Sequence, residues 1–299
     1  MLSIRLKARA KINLTLDVVG KAENGYHLLE TVMQTVKLYD VVYLKKIIPD
    51  KIKIKTNLPW VPVDERNLAY AAIDYMRKTY SLKEGIFAEL YKRIPVGAGL
   101  GGGSADCAAA VFGMDKLFDL RLSTEEMLDI CRKFGTDIPF CFLRGTALAT
   151  GLGDQLEILP DAPNFYVVLA KPPVSVSTAH VYKNLVWDKV QDHPDTPEFV
   201  NAIKNQDKKT ISGGLVNVLE TVTLAEHPVA AQLKEKLLEL GAEGALQSGS
   251  GPTVYGLFSD FETARTAFRT LKYEDNLKDV FLSEFYRNRM GEKNYGQRF

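Results

Sequence analysis

A run of glycines, a lysine and an aspartate carry the strongest hints of chemistry in this chain. The run PVGAGLGGGSADCAAA spans residues 95–110 and turns abruptly from glycine into good helix material. Glycine permits close backbone approach and left-handed torsions. The first turn of a helix offers unpaired N–H groups and a partial positive charge. Together they suit a phosphate, and Ser104 adds a hydroxyl at the mouth. Walker A is excluded because no lysine follows the glycines. A G-x-G-x-x-G match at Gly97–Gly102 lies too far along the chain to open a dinucleotide fold. Tight helix–sheet packing without a ligand remains the competing explanation.

Phosphoryl transfer needs a cradle, stabilisation of charge on the moving group and an aligned nucleophile. A lysine touching an aspartate would serve: the carboxylate accepts a hydroxyl proton and the ammonium stabilises negative charge. Lys11 lies in an alternating segment beside Ala8 and Ala10, where a lone lysine usually faces water. Asp137 sits in FGTDIPFC among apolar residues, where a helix or turn cap is the ordinary role. Both are eligible and neither is compelling from local pattern. Tyr26 and His27, in NGYH, suit stacking and edge hydrogen bonding to a heterocycle, or simply close a turn. SGSG at 248–251 reads first as a hairpin turn and second as backbone donors for a phosphate or substrate. His180, His193 and His227 are not spaced for a metal.

The elements that must position these groups follow from periodicity. Ile4, Leu6, Ala8, then Ile12, Leu14, Leu16 and Val18, alternate with polar residues, so residues 4–18 form a strand or bent strand pair. Lys11 and Asn13 then share one face. VVYLKK (41–46) and KIKIKT (51–56) look like a hairpin around Pro49 and Asp50. A helix is expected from Leu68 to Tyr80, capped by Asn67 or Asp64. IFAELY (86–91) is a strand leading into the glycines, and helices cover 104–118 and 124–134, the latter capped by Ser123 or Thr124 and ended by Gly135. Residues 139–153 read as short strands and turns, and DAPNF (161–165) as a seam. Beyond it come a strand at 165–170, a helix at 177–187 and a charged stretch from Asp188 to Lys209 that looks solvated and partly mobile. Helices at 215–224 and 228–240, two strand-like segments around SGSG, a helix at 261–271 and a strand at 280–285 complete an α+β second half. The seam divides the chain into 1–162 and 163–299.

Bulk composition narrows the class. The 299 residues are 46% hydrophobic and 25% charged, ordinary for a globular protein. The 38 basic and 37 acidic residues leave a net charge of +1. That balance shows no nucleic-acid or anionic-membrane surface, although a local patch can hide in it. Cys107, Cys131 and Cys141 fit no zinc or redox spacing, which suggests a reducing compartment. The first residues do not read as a signal peptide, and no stretch is long and apolar enough for a membrane helix. A cytoplasmic protein is expected.

In order along the chain, ARAKINLTLDVVGKAENGYHLLETV, PVGAGLGGGSADCAAA, GTDIPFC and QSGSGPTVYGLF resemble the GHMP kinase superfamily. The resemblance covers nearly the whole chain. The A-K-I-N-L, G-Y-H and G-x-D-I-P-F segments narrow it to the branch whose acceptor is 4-diphosphocytidyl-2-C-methyl-D-erythritol. It implies ATP-dependent phosphorylation of that molecule's 2-hydroxyl, giving ADP and the 2-phosphate, within non-mevalonate isoprenoid precursor synthesis. It also implies an α+β fold, with an N-terminal mixed sheet containing a left-handed βαβ element and a C-terminal ferredoxin-like domain. Residue by residue, Lys11 and Asp137 resemble the catalytic pair. Asn13, Tyr26, His27 and Thr178 resemble substrate contacts, with Tyr26 and His27 on the cytosine. Asn67 resembles a contact on the adenine side of ATP. Pro95, Gly97, Ala98, Gly99, Leu100, Gly101, Gly102, Gly103 and Ser104 would wrap its phosphates. Magnesium is expected with the nucleotide; no dedicated metal ligand set is expected, and Asp137 is the only candidate contact. Two departures stand out: Ala105 replaces a frequent second serine, and Thr136 a frequent alanine. The remaining readings are another small-molecule alcohol kinase of the superfamily, told apart by indifference to cytidine, and a binding protein without turnover. No nucleic-acid or membrane partner is expected, and the oligomeric state stays open.

Overall fold

The period-2 patterning near the N-terminus forms two strands, β1 (Ser3–Asn13) and β2 (Thr15–Lys21), in a computed structural model that describes residues 1–23, 25–48 and 50–287. Both strands pair antiparallel with a 21-residue strand, β3 (His27–Ile47). The β1–β3 register shifts between Arg9 and Lys11. Leu6 and Ala8, before the shift, belong to one core cluster; Ala10, Ile12 and Leu14 belong to another. Such irregularities re-aim side chains. Asn24 of the expected turn lies outside the described residues.

The expected hairpin between the ends of β3 and β4 (Ile52–Thr56) does not form. After α1 (Leu68–Thr79), the strand β5 (Gly85–Tyr91) inserts between them, antiparallel to β3 and parallel to β4. Burial explains the order. Ile86, Ala88 and Leu90 are fully buried in β5, whereas β4 exposes Lys53 and Lys55 and so suits an edge. Pro49 of the expected turn lies outside the described residues.

The glycine run enters α2 (Gly102–Phe118), which is apolar nearly all round and packs against β1, β3 and α1. α3 (Thr124–Arg132) opens with a reciprocal capping box between Ser123 and Glu126. Residues 138–143 are not strand or turn but a short helix, α4 (Ile138–Leu143), with Pro139 in its first turn, where a missing N–H costs nothing. β6 (Thr146–Thr150) and β7 (Gln155–Leu159) then extend the first sheet from β3.

Past residues 161–165 the chain enters β8 (Tyr166–Lys171) and α5 (Thr178–Asn184), the latter shorter than expected. The charged stretch is more ordered than its composition suggests. α6 (Thr196–Lys204) buries Phe199, Ala202 and Ile203, and α7 (Lys208–Gly213) buries Ile211. The helix expected over 215–224 starts late: β9 (Val216–Asn217) first pairs parallel with β2, and α8 (Glu220–Glu226) follows. The cause is Asn217, whose buried amide donates to Gln247 O and Gly249 O at 2.9 and 2.8 Å and holds it extended. α9 (Pro228–Glu239), β10 (Gly244–Gln247), β11 (Val254–Phe258), α10 (Phe261–Arg269) and β12 (Asp279–Glu284) close the chain. The second sheet runs β10-β11-β8-β12, all antiparallel, the strand order of a ferredoxin-like unit. A shared core lies between the sheets, where Ile12, Val32 and Val36 meet Phe165, Tyr255 and Phe285.

Candidate active site

One cleft of about 1050 Å³ gathers all sixteen residues singled out from the sequence. Its floor is the glycine loop leading into α2. Asn67 and Ser123 cap α1 and α3 with side chains, but α2 has no side-chain cap. Its first N–H groups therefore remain for an anion. Of two glycines in this loop, one has no room for a side chain and the other is tight. A Cβ on Gly99 would lie 2.0 Å from Ser248 O, and one on Gly101 3.0 Å from Lys11 Cγ; both residues have positive φ. Lys11 N donates to Leu100 O at 3.0 Å, which ties the loop to β1.

The SGSG turn is both the hairpin between β10 and β11 and a wall of this cleft. Ser248 Oγ donates to Gly99 O at 2.9 Å, and Gly249 and Ser250 line the cavity. Tyr255 in β11 donates to Asn13 O at 2.8 Å.

Lys11 does not face water: it is 5% exposed. Its Nζ lies 3.2 Å from Asp137 Oδ2 and donates to Asn13 Oδ1 at 2.8 Å. Asn13 Nδ2 donates to Thr31 Oγ1 at 2.8 Å, which in turn donates to Thr15 O. The ammonium is thus held from two sides by a relay that reaches the backbone. Asp137 occupies the N-cap position of α4, yet its side chain makes no capping bond and turns to Lys11. Cys141, one turn along, hydrogen-bonds Gly101 O at 3.9 Å, and burial pushes its thiol pKa up.

Also in the cleft, the His27 ring sits 5.3 Å from that of Tyr182. The His27 Nε2 atom is buried without a hydrogen-bond partner. Desolvation, helped by Lys21, lowers its pKa, so the imidazole is neutral near pH 7 with one unmet polar edge. Tyr26 beside it is 68% exposed. Thr178 Oγ1 lies 2.8 Å from Ser250 Oγ and so bridges α5 to the SGSG turn. Asn67 lines the cleft with each polar group already engaged once: Oδ1 caps Ala69 N and Nδ2 donates to Pro62 O.

Two groups escaped the sequence reading. Tyr182 is half-buried in the cleft wall, and loss of solvent around its hydroxyl drives the pKa up. Its place four residues after Thr178, on the same helix face, was the available signal. Lys92 and Asp106 also line the cavity, as a buried triad with Asp40. Asp40 Oδ1 accepts from Ile94 N at 2.8 Å, but Asp106 Oδ1 has no partner. Burial pushes the Asp106 pKa up to about 7, with Asp40 adding to the rise and Lys92 opposing it. An aspartate inside an alanine-rich helix was its signal. Asp106 and Asp137 are the cleft's carboxylates among the described residues. No cluster of three or more His, Cys, Asp or Glu side chains able to hold a metal occurs among those residues, nor is any helix among them long and apolar enough to cross a membrane.

Two family models match the chain: the GHMP kinases N terminal domain at residues 67–145 and the GHMP kinases C terminal at residues 199–275. These matches place the chain among the GHMP kinases, enzymes that use ATP to phosphorylate small molecules. The 4-diphosphocytidyl-2-C-methyl-D-erythritol kinase of Lachnoclostridium phytofermentans is 46% identical over 96% of this chain and 98% of its own. That of Lachnospira eligens is 46% identical over 96% and 99%. A crystal structure of 4-(cytidine 5'-diphospho)-2C-methyl-D-erythritol kinase superposes with a TM-score of 0.81 at 26% identity, covering 95% of this chain and 100% of that one. Homoserine kinase from Cytophaga hutchinsonii shares the fold, with a TM-score of 0.75 at 20% identity over 97% and 96% of the two chains. The chain belongs to the 4-diphosphocytidyl-2-C-methyl-D-erythritol kinase family.

Proposed function

We propose that this enzyme transfers the γ-phosphoryl group of ATP to the 2-hydroxyl of 4-diphosphocytidyl-2-C-methyl-D-erythritol, in the non-mevalonate synthesis of isoprenoid precursors. The observation that carries the reading is the contact between buried Lys11 and Asp137 in the same cleft as the uncapped start of α2 and the unmet edge of His27. Asp137 accepts the proton of the acceptor hydroxyl, and Lys11 Nζ stabilises negative charge on the transferring group. Asn13 holds Lys11 in place. The residues from Pro95 to Ser104 bind the ATP phosphates through backbone N–H groups and the Ser104 hydroxyl, and Asn67 shapes the adenine end. Neutral His27 hydrogen-bonds the cytosine edge, Tyr26 and Tyr182 flank it, and Thr178 orients the acceptor's erythritol side. Asp137 and Ser104 offer oxygen donors in the cleft that would hold magnesium bound with the nucleotide, where the ion would neutralise phosphate charge. We read residues 1–162 and 163–299 as the two units that form the cleft. Three free, buried cysteines support a cytoplasmic setting.

The test is ADP release with ATP, magnesium and the cytidylated acceptor, with phosphorus NMR of the product. A new phosphomonoester signal with the cytidine diphosphate intact is expected. Turnover of alcohols lacking cytidine at an equal kcat/KM would overturn the acceptor in favour of another GHMP-type kinase reaction. ATP binding without turnover of any alcohol would leave a non-catalytic protein.

A further inference from the structure

The solvent face of the first sheet carries charge that the net value of +1 conceals. Leu6 and Ala8 of β1 point into the core, so Arg5, Lys7 and Arg9 point the other way. Register sets Tyr43 beside Arg5, Tyr39 beside Arg9 and Lys45 beside Ser3, on the same face. β5 adds Phe87, Glu89 and Tyr91, with Arg93 just past its end; β4 adds Lys53 and Lys55 opposite Phe87 and Glu89. Glu89 is the one carboxylate at these positions and is met by Lys55 at 3.2 Å. Lys37 is met by Glu284 of β12. The other cations of this face have no ion pair among the described residues.

The cations are interleaved with rings. Lys7, Arg9 and Arg93 surround Tyr39, at 4.9, 5.7 and 5.4 Å from its centroid, and Arg5 lies 5.9 Å from that of Tyr43. Tyr91 is 55% exposed. The face runs on into a groove of about 460 Å³, where Tyr39 and Arg93 meet Tyr166, Phe261 and Phe268. A merely solvated lysine face would not array aromatic rings this way. A cationic surface with accessible rings fits a strand whose bases are unstacked and whose backbone is anionic.

We propose that this face binds single-stranded RNA. The phosphates lie along the exposed cations Arg5, Lys7 and Lys53, and bases stack on the exposed ring of Tyr91. None of these residues lines the kinase cleft, so the surface acts independently of phosphoryl transfer.

The test is fluorescence anisotropy of the full chain with a labelled oligo(U) of about 12 nucleotides. Between about 50 and about 200 mM salt, affinity should fall about 20-fold if about three phosphates are neutralised. Paired charge reversal, Arg5→Glu with Lys7→Glu, should weaken binding at least about tenfold through the same electrostatic term. Tyr91→Ala should weaken it about fivefold or more through lost stacking. Both variants should keep the parent melting temperature and ATP turnover, which separates lost binding from lost folding. Absence of oligo(U) binding at the lower salt overturns the proposal. So does equal affinity for duplex RNA or phosphatidylserine vesicles with Tyr91→Ala unchanged, which would mark a surface that reads charge alone.

Discussion

Burying an ammonium without a counter-charge costs several kcal/mol, so Lys11 can lie 5% exposed only because Asp137 and Asn13 meet it. The same contact fixes the Asp137 carboxylate beside the ammonium inside the cleft. Asp137→Asn preserves shape but removes the proposed proton acceptor. Turnover should fall by about 10²- to 10⁴-fold, while ATP affinity, which we propose the glycine loop sets, should change little. Single-turnover rates and equilibrium nucleotide titration check both halves of this expectation. A near-normal rate would mean that the hydroxyl attacks without Asp137. His27 and Asp106 share another feature, a buried polar atom left without a partner inside the cleft. For His27 the missing partner is the edge of the cytosine it is proposed to bind.

Elements convert these residues into a site, and here the glycine loop and the SGSG turn must be considered as one device. Gly97 and Gly99 both have positive φ, but an added Cβ finds open space at Gly97 and Ser248 O at 2.0 Å at Gly99. Gly97→Ala should therefore cost only the left-handed strain of about 1 kcal/mol and leave kinetics close to the parent. Gly99→Ala must push the SGSG turn away, break the Ser248–Gly99 bond and raise KM for ATP together with a fall in kcat. Equal kinetics for the two variants would show that the turn does not brace the loop. This coupling also marks where sequence reasoning stopped. The loop, the strand carrying Lys11 and the helix after Asn67 were legible because their signals are local: glycine density, period 2 and a cap. Lys11 and Asp137 stayed ambiguous in isolation because their burial depends on each other, across more than a hundred positions of chain, and only the family resemblance paired them. The β3–β4 hairpin was misread because adjacency in sequence competes with burial, and the apolar β5 claimed the inner position. α4 was missed because its six residues are too few for periodicity to show. Tyr182 and Asp106 had local signals, one turn from Thr178 and a charge among alanines, but neither signal says which helix face meets a cleft.

At the scale of the molecule, the core between the two sheets makes the chain's halves interdependent. Phe285, 1% exposed, follows the last strand of the second sheet, bridges to Val36 of the first and packs edge-on to Phe165 at 5.5 Å. β9, from the second half of the chain, pairs with β2, and Tyr255 reaches the backbone of Asn13. Each half has a cluster of its own, but neither buries all its apolar surface alone, and the strand that carries Lys11 is held by residues from both. The intact chain should therefore unfold in one calorimetric transition, with the calorimetric enthalpy equal to the van't Hoff value. Phe285→Ala should cost about 3–5 kcal/mol and lower that single transition without splitting it. Two resolved transitions in the parent, with only one moved by the substitution, would show instead that each half's own core is stable without the shared one, and that the cleft between them forms by docking of units already folded.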